Sequence, residues 1–112
     1  MSDCIFCRIV AGEIPSKKVF EDDRIFAFED ISPKAPTHVL VVPREHVARL
    51  SDATPAHEAL LGALASRAAA IARDRGLSDF RVVVNNGEGA GQSVFHLHFH
   101  LLGGRSMTWP PG

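Results

Sequence analysis

Little in this sequence supports a disulfide scaffold, a membrane span or a polyanion-binding surface. Only two cysteines occur, Cys4 and Cys7, and two do not make a disulfide framework. No apolar run approaches the length of a transmembrane helix, which excludes a helical membrane protein. The stretch Met1-Ser2-Asp3-Cys4 lacks the basic start and apolar run of a signal peptide, so a reducing cytoplasm is the expected compartment. The formal net charge is only -1, which gives no electrostatic argument for duplex nucleic acid or an anionic membrane as partner. A small anionic ligand stays open, because a pocket can be polar in a protein that is not basic.

What is present is ordinary globular composition, 46% hydrophobic and 22% charged over 112 residues, enough for one domain with a modest core that a dimer interface would extend. Neither internal repeats nor low-complexity linkers interrupt it. Cys4 to Val10 reads as one or two helical turns closed by Gly12. Lys18–Glu21 and Arg24–Glu29 read as strands, the second with Ile25, Ala27 and Glu29 on one face and Phe26 and Phe28 on the other. Pro33 and Pro36 make the next segment a loop, and His38–Val42 is an apolar, β-branched strand that Pro43 ends.

A long helix follows. Thr54 suits its N-cap and Pro55 its first position. Leu60, Leu61, Leu64, Ala68, Ile71 and Ala72 form its apolar stripe, and Gly76 stops it. Phe80–Asn86 and Val94–Leu102 complete the strands. Short links between successive strands argue for antiparallel pairing, with the helix on one face of an α+β sheet.

Three of the six histidines lie in His96-Leu97-His98-Phe99-His100-Leu101-Leu102. In a strand the side chains alternate, so His96, His98 and His100 share one face while Leu97, Phe99 and Leu101 enter the core. Two chemistries suit such a row. The imidazoles bind a catalytic metal, or one of them attacks phosphorus while its neighbours manage protons and charge. No acidic general base with metal-hydrolase spacing accompanies them, which ranks the metal reading lower. Immediately upstream, Asn85 to Ser93 contains Gly87, Gly89 and Gly91. This is no P-loop, for it lacks the Lys-Ser/Thr pair and a following helix. Placed just before the histidine strand, it makes a credible phosphate cradle of backbone N–H groups.

The histidine run resembles the signature of the histidine triad (HIT) family. Phe28-Glu29-Asp30-Ile31-Ser32-Pro33 and Ala35-Pro36-Thr37-His38 resemble the family's N-terminal half, Gly91-Gln92-Ser93 and Trp109-Pro110-Pro111-Gly112 resemble its Hint branch, and the likeness runs over nearly the whole chain, 1–112, as one HIT domain. The resemblance implies an antiparallel sheet of about five strands with one long helix and a short N-terminal helix, pairing into a homodimer. It implies a pocket for a purine nucleotide of the AMP or GMP type and hydrolysis of a nucleoside phosphoramidate or related derivative through a nucleotidyl-histidine, with no cofactor in the chemistry. By position His98 resembles the nucleophile, His100 its partner near the phosphate and leaving group, and His38 the histidine beside it. Ser93 resembles the donor to phosphate or leaving group. Asn85, Gly91 and Gln92 resemble nucleotide-binding positions, and Asp30 the acid that holds the ribose hydroxyls. Phe6, Ile9, Ile14 and Ile31 are candidates for the base pocket, and Trp109 for the leaving-group side across a dimer. Glu29 departs from relatives that carry histidine there. A nucleotide-binding or adaptor protein with little turnover would use the same pocket.

Cys4-Ile5-Phe6-Cys7 is ambiguous alone: idle thiols, a redox pair or half of a zinc site. A thioredoxin-like βαβ context is absent, and the other half of a zinc site would have to be histidine, with His46 and His96 as candidates. Some bacterial HIT proteins resemble this set. Two cysteines and two histidines close a tetrahedral, structural zinc site. His57 is expected to be a surface residue of the long helix.

Overall fold

An antiparallel sheet in the order β1-β2-β3-β5-β4 organises the chain. The structure, a computed structural model, describes residues 3–112. Its strands are β1 (Lys18–Glu21), β2 (Ile25–Glu29), β3 (Thr37–Pro43), β4 (Phe80–Val83) and β5 (Phe99–Gly103). Two helices flank them, α1 (Ile5–Val10) and α2 (Glu58–Asp74). No helix among the described residues is long and apolar enough to cross a membrane.

Period-2 alternation divides the core between the sheet's faces. Ile25, Ala27, Val39, Val41, Phe99 and Leu101 meet the α2 stripe of Leu60, Leu64, Ala68, Ile71 and Ala72. Phe26, Phe28, Leu40 and Val42 turn the other way, onto Phe6 and Ile9 of α1. Central β3 is buried along its whole length, as a strand covered on both faces must be.

Local chemistry sets the ends. Cys4 caps α1, its Sγ accepting the Cys7 N–H at 3.3 Å. A 3₁₀ turn, Pro55–His57, leads into α2. At the far end Gly76 takes φ +71°, and the Leu77 and Gly76 N–H groups reach back to the carbonyls of Ala72 (2.9 Å) and Arg73 (3.0 Å), a Schellman stop.

Several expectations need correction. β4 ends at Val83 rather than Asn86, and Thr54 and Pro55 open the 3₁₀ turn, α2 itself starting at Glu58. The last strand begins at Phe99 rather than Val94, because its ladder with β3 runs from Thr37↔Gly103 only to Val41↔Phe99. Leu97 still enters the α2 core, so the alternation persists beyond the ladder. His57 is no bystander: its Nδ1 accepts the Thr54 N–H at 3.0 Å and its Nε2 lies 2.9 Å from Glu45 Oε2, tying the start of α2 to the loop after β3.

Candidate active site

Register brings the histidines together. His38 lies opposite Leu102, and Leu40 opposite His100, so His38 and His100 are diagonal neighbours on the α1 face of adjacent strands. Their rings meet, with His38 Nε2 2.9 Å from His100 Nδ1.

The backbone dictates which nitrogens carry protons. The Lys34 N–H donates to His38 Nδ1 at 3.0 Å, so that nitrogen holds a lone pair and neutral His38 carries its proton on Nε2. That proton goes to His100 Nδ1, which places the His100 proton on Nε2. His100 Nε2 is buried and, alone among the buried side-chain polar atoms of the described residues, has no hydrogen-bond partner. A buried donor without a partner is costly, which makes this atom a candidate for contact with a ligand.

His98 is set the opposite way. Its Nδ1 lies 2.7 Å from the His96 carbonyl oxygen, which can only accept, so the proton is on Nδ1 and Nε2 keeps a free lone pair. The ring stands edge-on to Phe6, 5.0 Å between centroids, and 4.8 Å from the His100 ring. Burial keeps these imidazoles neutral. It pushes His98 and His38 below the usual histidine value, against the opposing pull of a backbone hydrogen bond on the first and of Asp30 on the second. It takes His100 down to about 4, helped by repulsion from His98 and His38. A neutral lone pair beside a neutral donor suits attack on an anionic phosphorus centre.

Asp30 borders this group. Its Oδ1 accepts the Ser32 N–H at 2.7 Å and its Oδ2 lies 3.4 Å from His38 Nε2, which leaves lone pairs for ligand hydroxyls. Ile31 beside it is 97% exposed, an apolar side chain with nothing over it. Asp30 and Ile31 border a recess of about 680 Å³ with Pro15, Ser16, Lys17 and Glu29. Glu29 pairs with Arg75 at the end of α2. Phe6 and Ile9 are buried under the sheet, Phe6 edge-on to Phe28 at 5.4 Å, and Ile14 packs at their border.

Before the histidine run, Gly91 takes φ +99°, a conformation open to glycine, and a Cβ there would stand 3.7 Å from the Asn85 amide. Gln92 is buried and fully engaged: its amide donates to the carbonyls of Ala48 (2.8 Å) and Val94 (3.0 Å) and accepts the Gly87 N–H at 2.8 Å. Its side chain therefore holds the loop, and the expected cradle of backbone N–H groups does not form around Gly91: the N–H groups of Ala90 and Gln92 donate to the Gly87 carbonyl, and that of Gly91 to the Glu88 carbonyl. Ser93 is exposed at the loop's end. Asn86 accepts the Ser51 N–H at 2.7 Å and braces the loop from outside. Residue type alone does not mark Asn86 for this role, nor Lys34 and Pro43, which act through the backbone. Trp109 is 81% exposed, 5.9 Å from the Arg81 guanidinium, so the tail does not bury it on its own subunit.

The second cluster lies on the other side of His98. Cys4, Cys7, His46 and His96 bring their ligand atoms within 4.8 Å of one another. Cys4 Sγ is 3.3 Å from His96 Nδ1, Cys7 Sγ is 3.4 Å from His46 Nδ1 and 3.5 Å from His96 Nδ1, and the two Nδ1 atoms are 3.3 Å apart. Ligands on one tetrahedral zinc are separated by about 3.3–3.6 Å for N···N and N···S pairs, so the donors present fit that ion. His96 Nε2–H donates to the Pro43 carbonyl at 2.7 Å, leaving the Nδ1 lone pair aimed into the cluster. With His96 turned this way, the three histidines of the run do not converge on one ion, which removes the three-histidine metal site.

Residues 11–107 match the HIT domain. The chain belongs to the HIT family. A HIT family hydrolase from Legionella pneumophila superposes on this HIT protein with a TM-score of 0.96 at 50% identity, covering 98% of this chain and all of that one. A protein of Zea mays named as a 14 kDa zinc-binding protein is 47% identical over 99% of this chain and 89% of its own length. An adenylylsulfatase of Arabidopsis thaliana is likewise 47% identical, over 99% of this chain and 78% of its own.

Proposed function

We propose that this HIT protein hydrolyses nucleoside phosphoramidates or related nucleoside 5'-monophosphate derivatives through a nucleotidyl-histidine on His98. The observation that carries this reading is the pairing of a free Nε2 on His98 with the unpartnered Nε2–H of His100. The His98 lone pair forms a bond to phosphorus, and the phosphorus–nitrogen bond of the substrate breaks. The leaving nitrogen takes its electron pair and one proton through His100 Nε2–H, which a solvent proton replaces so that His100 stays neutral, while His38 holds His100 in the donating tautomer. Water then attacks phosphorus, His98 leaves as neutral imidazole, and the proton returns through the same nitrogen. The exposed Ser93 hydroxyl donates to the charged non-bridging oxygens. Asn85 steadies the nucleotide.

Asp30 holds the ribose hydroxyls and the exposed Ile31 covers the base, with Phe6, Ile9 and Ile14 behind it. The base is a purine, a reading supported by the resemblance of the chain's motifs to the Hint branch. Cys4, Cys7, His46 and His96 hold a structural zinc. A closed set of four protein ligands leaves no position for substrate, so zinc supplies stability rather than bond cleavage. The whole chain works as one domain, in a cytoplasmic setting that keeps the thiols reduced. It pairs through edge strand β4, whose Phe80 and Val82 are each 38% exposed, and the partner's tail brings Trp109 to the leaving-group side.

His98→Ala tests the nucleophile. Turnover of an adenosine phosphoramidate is abolished, while affinity for the product monophosphate stays within about tenfold, because pocket and loop supply the binding. An active variant refutes the reading.

A further inference from the structure

His98 stands one residue beyond the last β3–β5 pair, Val41↔Phe99, so the sheet's ladder does not set its backbone. The residues before it are held by three other ties. The Leu97 N–H donates to the Val47 carbonyl at 2.6 Å, the His96 Nε2–H donates to the Pro43 carbonyl at 2.7 Å, and His96 Nδ1 enters the cysteine–histidine cluster. Val47 itself follows His46, another member of that cluster. The oxygen that orients the nucleophile, the His96 carbonyl, thus belongs to the residue whose side chain closes the metal centre. His96 is wholly buried, and Phe6, between the two cysteines, packs on both His96 and His98.

We propose that His96 is a positioning residue for the nucleophile: the metal centre fixes its backbone carbonyl and thereby aims His98 at phosphorus. The inference rests on the reading of Cys4, Cys7, His46 and His96 as a zinc site. Zinc takes no part in bond cleavage here. It acts through two atoms of one residue, a ring nitrogen on the ion and a carbonyl on the attacking imidazole, in the way outer-sphere partners orient ligands at other metal sites. Without the ion, the buried His96 Nδ1 lacks its strongest partner and the segment 96–98 loses one of its three ties. The His98 ring then rotates off the line of attack.

The test is imidazole NMR of the full-length protein, loaded with zinc, stripped with a chelator and titrated back with zinc. His98→Asn assigns the Nδ1–H signal of His98. In the zinc form that proton gives a protected, downfield resonance. Stripping broadens or removes it and lowers kcat about 10–100-fold with the affinity for product monophosphate little changed. Both return together as zinc saturates at about one ion per chain. Cys7→Ser repeats the comparison with His96 and Pro43 intact. Backbone amide dispersion is recorded throughout, and if every metal-depleted form loses it together with the signal, the effect is one of folding and the inference fails. A stripped protein that keeps both the resonance and kcat overturns the inference and leaves the zinc reading standing. A protein that takes up no zinc overturns both.

Discussion

Nε2 of His38 donates to Nδ1 of His100 across 2.9 Å, and this bond leaves His100 one free donor. The Lys34 N–H on the far side of His38 holds the tautomer in place. His100 then matters most when the leaving group needs a proton. His100→Ala is expected to slow cleavage of alkylamine phosphoramidates by about 10²–10⁴-fold, and to slow cleavage of a mixed anhydride with a good leaving group, such as a sulfate, far less. His38→Ala follows the same ranking with a smaller loss. Steady-state kinetics across a leaving-group series checks this, and an equal loss on all substrates contradicts it.

The depressed histidines make stability pH-dependent. His38, His98 and His100 titrate below 6.5 in the folded protein, His100 at about 4, whereas an unfolded chain titrates them near 6.5. As pH falls through this window the unfolded chain binds protons that the folded chain refuses, so the unfolded state gains. Stability is therefore full above pH 6.5 and declines toward pH 4. Thermal melts in 0.5-unit steps measure the slope, with buffers chosen for small heats of ionisation at about constant ionic strength. His100→Asn, which removes the most perturbed group, flattens it. A melting temperature constant across the window contradicts the burial argument.

Trp109, with 81% of its surface exposed, is the part of the chain that one subunit leaves unexplained. The Arg81 side chain donates to the Thr108 carbonyl at 2.9 Å, so the tail is anchored on edge strand β4, where a second copy would pair. Deleting residues 107–112 is expected to change the ranking among amine leaving groups while His98 still forms its adduct. An unchanged ranking means that the tail only packs. Sedimentation of the full chain at micromolar concentration gives a dimer if β4 is the interface, and a monomer contradicts that arrangement.

Much of this was legible in the residues. The alternation in Ile25–Glu29 and His96–Leu101 assigned each side chain to the correct face, because period 2 is a local property that survives even where no ladder forms. The extent of β5 was not legible. It depends on how far β3 runs beside it, a long-range matter absent from the segment Val94–Leu102 itself. The proton arrangement was also hidden, since Lys34, Pro43 and His96 act through backbone N–H and C=O groups that every residue type shares. Gln92 shows the converse: its side chain suited a ligand site, yet three hydrogen bonds make it the clamp of the glycine loop.

The central claim is that His98 carries the nucleotide during turnover. Rapid acid-free quench of the enzyme with an adenosine phosphoramidate, followed by intact-mass and peptide mass spectrometry, tests it most directly. The account predicts a nucleotidyl adduct confined to the peptide containing His98, formed and lost at rates that match turnover, and absent from His98→Ala. Substrate consumed at the full rate with no adduct at any time, or an adduct on His96 or His100 instead, would contradict it.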